Sequence, residues 1–272
     1  MRHVARKRFG QNFLVDDQVI RRIIDAIDPQ PDDAIIEIGP GLGALTRPLA
    51  ARVKHLHAVE LDRDIVARLQ HEFPAERVSL HSSDALTYDF AVHGTDLRLV
   101  GNLPYNISTP LLFRLAQFAP RLRDLHVMLQ KEVAQRLVAR PDTSEYGRLS
   151  VMAQYRFAID QLIDVPAEAF RPAPQVESVF LRLTPLRSRA LEAFDETTLG
   201  RVVLAAFSQR RKTLRNTLKG VISPDGLRAL GIDPGARAQE LALADFVRLA
   251  NHLDACAQQA NSAAPTQVQR RR

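Results

Sequence analysis

The sequence is short of cysteine: Cys256 is alone among 272 residues, so an internal disulfide is excluded and a reducing compartment is expected. It has no run of about 18 apolar residues, which argues against a membrane-spanning helix. The opening stretch "MRHVARKRFGQNFLVDD" carries charge but no apolar core of signal-peptide length, and a cytoplasmic location is expected. No repeat of solenoid length is visible. His55 and His57 in "HLH" form the only close histidine pair, and no cysteine or third histidine follows at ligand spacing. No metal site is therefore expected. The single cysteine and scattered serines offer no nucleophilic triad.

What is present is the profile of a globular protein, 46% hydrophobic and 25% charged, long enough for one large domain or two. The net charge of +6 points toward a polyanion, and its distribution says more than its size. Arg2, Arg6, Lys7 and Arg8 open the chain, "QRRKTLRNTLK" spans 209–219, and "QRRR" ends an Ala/Gln/Ser-rich tail.

Up to about residue 185, short apolar runs alternate with amphipathic stretches, the pattern of an open, mostly parallel α/β sheet. Strands are expected at "AIIEIG" (34–39), "LHAVEL" (56–61), "VSLHSS" (78–83), "LRLVGN" (97–102) and "LHVMLQ" (125–130). Val19, Ile20, Ile23, Ile24 and Ile27 form one face of a helix before the first strand. Thr109 and Pro110 are expected as the cap and first residue of another. "VMAQYRFAIDQLIDVP" and "SVFLRLTP", separated by "FRPAPQVES", read as two strands forming an antiparallel hairpin at one edge. Beyond Arg187 helix formers dominate. Val203, Phe207, Leu214 and Leu218 suggest one stripe of a long helix, with Arg211, Arg215 and Lys219 on another face. The expected division is an α/β domain at 1–186, a small all-helical domain at 187–255, and a disordered tail at 256–272.

Four strand ends carry chemistry. "EIGPGLGALT" (37–46) runs from a strand through Gly39, Gly41 and Gly43 into a helical pattern, where a backbone without side chains can approach a ligand. Its G-x-G-x-G spacing differs from the G-x-G-x-x-G of dinucleotide sites and favours a nucleoside with no pyrophosphate. Glu60, 21 residues after Gly39, is placed to accept from a ribose diol. Asp84 is placed to meet an adenine amino group, although it could equally cap a helix. Three such loops at the carboxyl edge of one sheet make S-adenosylmethionine the leading cofactor. The fourth is Asn102-Leu103-Pro104-Tyr105. The Asn102 side-chain oxygen and the Leu103 carbonyl can accept from an exocyclic amino group, Pro104 stiffens the loop, and Tyr105 offers a stacking face.

"NLPY" resembles the motif of methyltransferases acting on adenine amino groups. Together with "RKRFGQNFL", "VELDRD", "MLQKEVAQRL", "YGRLSVMAQY", "FRPAPQVESVF" and "FSQRRKTLRN", the chain resembles the bacterial 16S ribosomal RNA adenine dimethyltransferase A family from residue 6 to about 216. The resemblance implies a Rossmann-like S-adenosylmethionine-dependent methyltransferase, acting as a monomer on two adjacent adenosines in the 3′-terminal hairpin loop of 16S rRNA. It implies that Asn12 and Leu14 close over the cofactor with Gln11 nearby, that Gly39 and Gly41 lie against its methionine part, and that Asn102 sits between cofactor and target. Phe170 is a candidate for the second face of a base sandwich. Arg6, Lys7, Arg8, Arg210, Arg211, Lys212, Arg215 and Lys219 are candidate contacts to rRNA phosphates, with a merely solvated charged face as the alternative. Two other functions are weighed: a nicotinamide-dependent oxidoreductase, which the glycine spacing disfavours, and a ribosome-assembly factor whose binding matters more than its chemistry.

Overall fold

The computed structural model describes residues 12–187 and 192–262. Gln11, Arg6, Lys7 and Arg8 lie outside the described residues. Contacts divide the chain into two compact units, one holding the described residues to Val138 with Arg156–Arg187, the other Ala139–Tyr155 with those after 187.

The first unit contains β1 (Phe13–Leu14), α1 (Asp17–Ile27), β2 (Ile35–Ile38), α2 (Thr46–Arg52), β3 (Leu56–Glu60), α3 (Arg63–Glu72), β4 (Val78–Ser82), β5 (Leu97–Asn102), α4 (Ser108–Ala116), β6 (Leu122–Gln130) and α5 (Lys131–Val138). After α6 (Arg148–Arg156) come β7 (Phe157–Val165), β8 (Phe170–Arg171) and β9 (Ser178–Pro185). Seven strands form one sheet in the order β4-β3-β2-β5-β6-β9-β7, and β1 pairs with β8 in a small second sheet. The pairings from β4 through β6 are parallel, while β9 runs antiparallel to both β6 and β7. The expected edge hairpin is thus present. Burial explains the hydrophobic strands: all four residues of β2 are buried, as a sheet covered on both faces requires. In α1, Asp16 accepts from the Gln18 and Val19 amides, and Val19, Ile23, Ile24 and Ile27 are buried.

Three expectations are corrected. "VMAQYR" is not strand: it belongs to α6, where Val151 and Tyr155 are buried four residues apart on one helical face. This excursion, 139–155, belongs to the second unit, so the linear division at 186/187 misses it. Helix α4 begins at Ser108 after Ile107, with no side-chain cap, so Thr109 is inside its first turn.

The second unit has its own core, in which Tyr146, Val151 and Tyr155 join Leu199, Val203, Leu214, Leu218 and Phe246. It is built from most of α6 and from α7 (Glu196–Ala206), α8 (Leu214–Thr217), α9 (Pro224–Ala229) and α10 (Leu243–Ser262). The expected long helix is two pieces. Val203 lies in the last turn of α7 and Phe207 caps its end, Leu214 begins α8, and an exposed polar turn at 208–212 separates them. A spacing of seven fits either a continuous helix or a break, so periodicity alone could not reveal the turn. Arg211, Arg215 and Lys219 consequently share no helix face, although all are exposed. The tail expected to be disordered from 256 is helical as far as Ser262. Among the described residues, no helix is long and apolar enough to cross a membrane.

Candidate active site

A cavity of about 330 Å³ opens at the carboxyl ends of β2, β3, β4 and β5. This is where an open α/β sheet places ligands, because adjacent loops there diverge. Asn12, Leu14, Gly39, Gly41, Glu60, Asp84, Asn102, Leu103, Pro104 and Tyr105 all line it.

The glycine loop leaves β2 with positive φ at Gly39 (68°) and Gly41 (53°). A Cβ on Gly41 would stand 3.1 Å from the Phe13 ring, so sterics and backbone conformation both call for glycine. The loop also orders the neighbouring carboxylate. Glu60 Oε2 accepts from the Gly41 amide at 3.3 Å, and Oε1 from the Asp62 amide at 2.9 Å. Burial nevertheless raises the Glu60 pKa, and those amides only moderate the rise. Asp84 Oδ1 accepts from the Leu86 amide at 2.8 Å in a tight turn. No α-helix follows, so it caps that turn and still lines the cavity.

The "NLPY" segment is held from three sides. A Cβ on Gly101 would lie 2.6 Å from the Ile38 carbonyl oxygen, so glycine is needed for the close approach of β5 to β2 just behind the site. Asn102 Nδ2 donates to the Asn12 carbonyl at 3.1 Å. The donor end of the amide is thereby engaged, and Oδ1 remains as an acceptor. The Leu103 amide donates to the Met128 carbonyl at 3.2 Å, fixing the peptide whose own carbonyl was expected to accept. The Tyr105 hydroxyl and the Ser178 Oγ on β9 share a hydrogen bond of 2.7 Å, which sets the ring's orientation.

Glu37 is a site residue that the strand pattern concealed. It lines the cavity from inside β2, is 2% exposed, and its Oε2 has no hydrogen-bond partner. Burial, with Glu60 nearby, raises its pKa to about 8. The signal in the sequence was an acidic residue at an interior position of a strand buried on both faces.

Two other expectations change. Phe170 does not line the cavity: it is fully buried beside Ile163 and Phe180, and β8 pairs it with Leu14. A base cannot stack on its ring in this arrangement. The second is the expected absence of a metal-ligand set at "HLH". His57, His81 and His93 bring ring nitrogens within 4.8 Å of one another. The five cations from Arg210 to Lys219 are exposed, and Arg210 Nη2 donates to the Ser144 carbonyl.

Residues 2–255 match the family described as Ribosomal RNA adenine dimethylase. The chain belongs to that family. Ribosomal RNA small subunit methyltransferase A of Thiobacillus denitrificans is 59% identical over 251 residues, covering 92% of this chain and 98% of that protein. The protein of the same name from Chromobacterium violaceum is 58% identical over 253 residues, covering 93% and 97%. Among solved structures, a dimethyladenosine transferase from Plasmodium falciparum shares the dimethylase fold with TM-score 0.76 at 23% identity, covering 90% of this chain and 98% of that one. The 23S rRNA methyltransferase ErmE aligns with TM-score 0.67 at 26% identity, covering 89% and 100%.

Proposed function

We propose that this chain transfers methyl groups from S-adenosylmethionine to N6 of two adjacent adenosines in the 3′-terminal hairpin loop of 16S rRNA. The products are N6,N6-dimethyladenosines, formed during small-subunit biogenesis. Membership of the dimethylase family supports the reaction, and the names of the bacterial relatives support the small-subunit target. The observation that carries the reading is the Asn102 amide, committed through Nδ2 to Asn12 with Oδ1 left as an acceptor at the cavity.

The cavity residues fit the cofactor. The Glu60 oxygens accept from the Gly41 and Asp62 amides, and a carboxylate with about four lone-pair sites has further acceptor capacity for a ribose diol. Asp84 retains a second carboxylate oxygen for an amino group. The unpartnered Oε2 of Glu37 is buried at the cavity, and a positively charged ligand beside it would favour the ionised carboxylate. When bound, S-adenosylmethionine supplies an electrophilic methyl group on a cationic sulfur.

The protein's own task concerns the nucleophile. An adenine amino nitrogen is weakly nucleophilic because its lone pair is delocalised into the ring. Acceptors at its N–H groups, the Asn102 oxygen and the Leu103 carbonyl, favour a more pyramidal, electron-rich nitrogen. Tyr105 holds the base by stacking. No general base is required, since the N6 proton becomes acidic as the nitrogen becomes cationic and can leave to water. The second methylation starts with one N–H, so one acceptor loses its partner; a backbone carbonyl tolerates this without rearrangement. Arg210, Arg211, Lys212, Arg215 and Lys219 form an exposed basic segment suited to rRNA phosphates.

The test is methylation of undermethylated small subunits with labelled S-adenosylmethionine, followed by nucleoside analysis. Dimethyladenosine at two adjacent positions is expected. Labelling confined to large-subunit rRNA, or a product that stops at monomethyladenosine, would overturn the proposal.

A further inference from the structure

Four of the eight histidines in the chain converge on one patch of the first unit, away from the residues that line the cavity. The sheet topology explains why. β4 is an edge strand paired with β3, in a register that sets His57 opposite Ser79 and Val59 opposite His81. On one face α3 covers these strands, packing Ile65 and Leu69 against Leu80. Ser79 and His81 alternate with Leu80 and therefore face the other way. On that side an apolar crossover helix would normally cover the sheet. Here the connection from β4 to β5 has no α-helix, only a short 3₁₀ turn at Phe90–His93. Imidazoles occupy the uncovered face, and the turn brings His93 onto them: its ring centroid lies 4.1 Å from that of His57 and 5.2 Å from that of His81.

We propose that His57, His81 and His93 form a binding site for one divalent transition-metal cation of the zinc class. One ring nitrogen of each lies within 4.8 Å of the others, and His57 Nδ1 is 3.2 Å from His81 Nε2. In a tetrahedral site with Zn–N near 2.0–2.1 Å, ligating nitrogens stand roughly 3.3 Å apart. One pair already has that spacing, and the His93 nitrogen stands within 4.8 Å of both. Three imidazoles with no thiolate favour zinc, nickel or copper over magnesium or calcium. A three-protein-ligand set leaves the fourth position to water.

The surroundings hold the rings in place. His55 is occupied separately, with Nδ1 on the Glu76 carbonyl and Nε2 on Ser79 Oγ. The Tyr88 hydroxyl lies 2.6 Å from His93 Nε2, and Asp89 is the nearby acidic charge that acts on His93. Burial and mutual repulsion lower the pKa of His57 to about 4, and burial lowers those of His81 and His93. Occupancy would tie β3 and β4 to the segment that begins at Asp84 on the cavity wall.

The test uses the untagged, chelator-stripped full chain, titrated with ZnCl₂ by calorimetry and with CoCl₂ by visible absorption. One saturable equivalent is expected, with the intense d–d bands of tetrahedral Co²⁺ and no thiolate charge-transfer band. His81→Gln and His93→Gln should each weaken binding at least tenfold. Because His93 lies on the turn, its variant keeps the test valid if a strand substitution fails to fold. His55→Gln and Cys256→Ser should leave stoichiometry and affinity unchanged. Absence of a saturable equivalent would overturn the proposal. So would binding that survives His93→Gln, or a signal that disappears in Cys256→Ser, since Cys256 lies 3.6 Å from His252 and could hold a metal with it.

Discussion

The two ends of the parallel sheet handle buried carboxylates in opposite ways. At the amino ends of the strands, Asp33 takes Arg98 Nη1 on one oxygen and Arg123 Nη1 on the other, both at 2.6 Å. Arg98 also reaches Asp124 at 3.0 Å and the Ile27 carbonyl at 2.6 Å. Burial alone would raise the pKa values of Asp33 and Asp124, but their hydrogen bonds and cationic partners prevail and lower both. At the carboxyl ends, Glu37 and Glu60 have no cation close enough to offset burial, and both pKa values rise. The same sheet thus keeps an ion-paired network at one end and carboxylates without a balancing cation at the other. Those carboxylates sit where a ligand can supply the missing partner.

The largest expected effect breaks the ion-paired end. Asp33→Ala leaves the buried Arg98 short of a partner and removes one of the carboxylates that hold Arg123. Loss of one member of a buried pair costs about 3–5 kcal/mol. Urea unfolding should show that loss, while S-adenosylmethionine affinity of the folded fraction stays near wild type. A change under about 1 kcal/mol, typical of a surface pair, would mean that the network is not a stability element.

At the open end, Asn102→Ala removes the proposed acceptor without disturbing the sheet. Removal of one preorganised polar group from a reacting centre costs about 10²–10³-fold in kcat. Single-turnover methylation should fall by that amount, with rRNA binding retained. A parallel loss of rRNA affinity would show that Asn102 serves binding and not transfer.

The opposite pKa shifts also have opposite pH signatures. Asp33 and Asp124 have folded values below their unfolded ones. Their contribution to stability is present above the unfolded carboxylate range, near 3.9, and is lost as pH falls through the lowered folded values. Glu37 is raised: its contribution is fully present below the unfolded value near 4.5 and is lost as pH rises through about 8. Over that window it should lower stability by at most about 1.4 kcal/mol per pH unit. Glu37→Gln should flatten the neutral-to-alkaline slope and leave the acid limb intact. S-adenosylmethionine affinity, rising with pH up to about 8 in the native chain, should lose most of that rise in the variant. An unchanged affinity profile would remove Glu37 from cofactor binding.

What could be read from the sequence divides along similar lines. Gly39, Gly41, Glu60, Asp84 and Asn102 were legible because each end of a parallel strand carries its chemistry in a few consecutive residues, and parallel topology brings those ends together. The Arg98–Asp33–Asp124 network was not legible, because its members are 65 and 26 residues apart and sit at strand starts that carry no motif. The histidine patch escaped for the same reason: His57 and His81 meet across paired strands 24 residues apart. Glu37 was hidden inside an apolar run, and the burial of Phe170 depends on a pairing with Leu14 that is 156 residues away in sequence and has no local signal. In α6, Val151, Tyr155 and Phe157 satisfy more than one apolar period, so the pattern alone does not separate helix from strand.

The smallest expected effect concerns Tyr105, where the open end touches the closed core through Ser178. Tyr105→Phe keeps the stacking face and removes the hydroxyl, so the buried Ser178 Oγ loses its 2.7 Å partner. One such hydrogen bond is worth about 1 kcal/mol, a few-fold in rate if the ring must be held for transfer. Tyr105→Ala removes the face itself, and base–aromatic stacking is worth about 1–3 kcal/mol. The pair of variants therefore separates orientation from stacking. If both lose the same few-fold, the hydroxyl tether to β9 accounts for the whole effect and the ring does not carry the base. If Tyr105→Phe is silent while Tyr105→Ala loses more than tenfold, the ring acts by its face alone. The expected result is a graded series, a few-fold then more than tenfold, because the loop presents a group that is both tethered from behind and exposed in front.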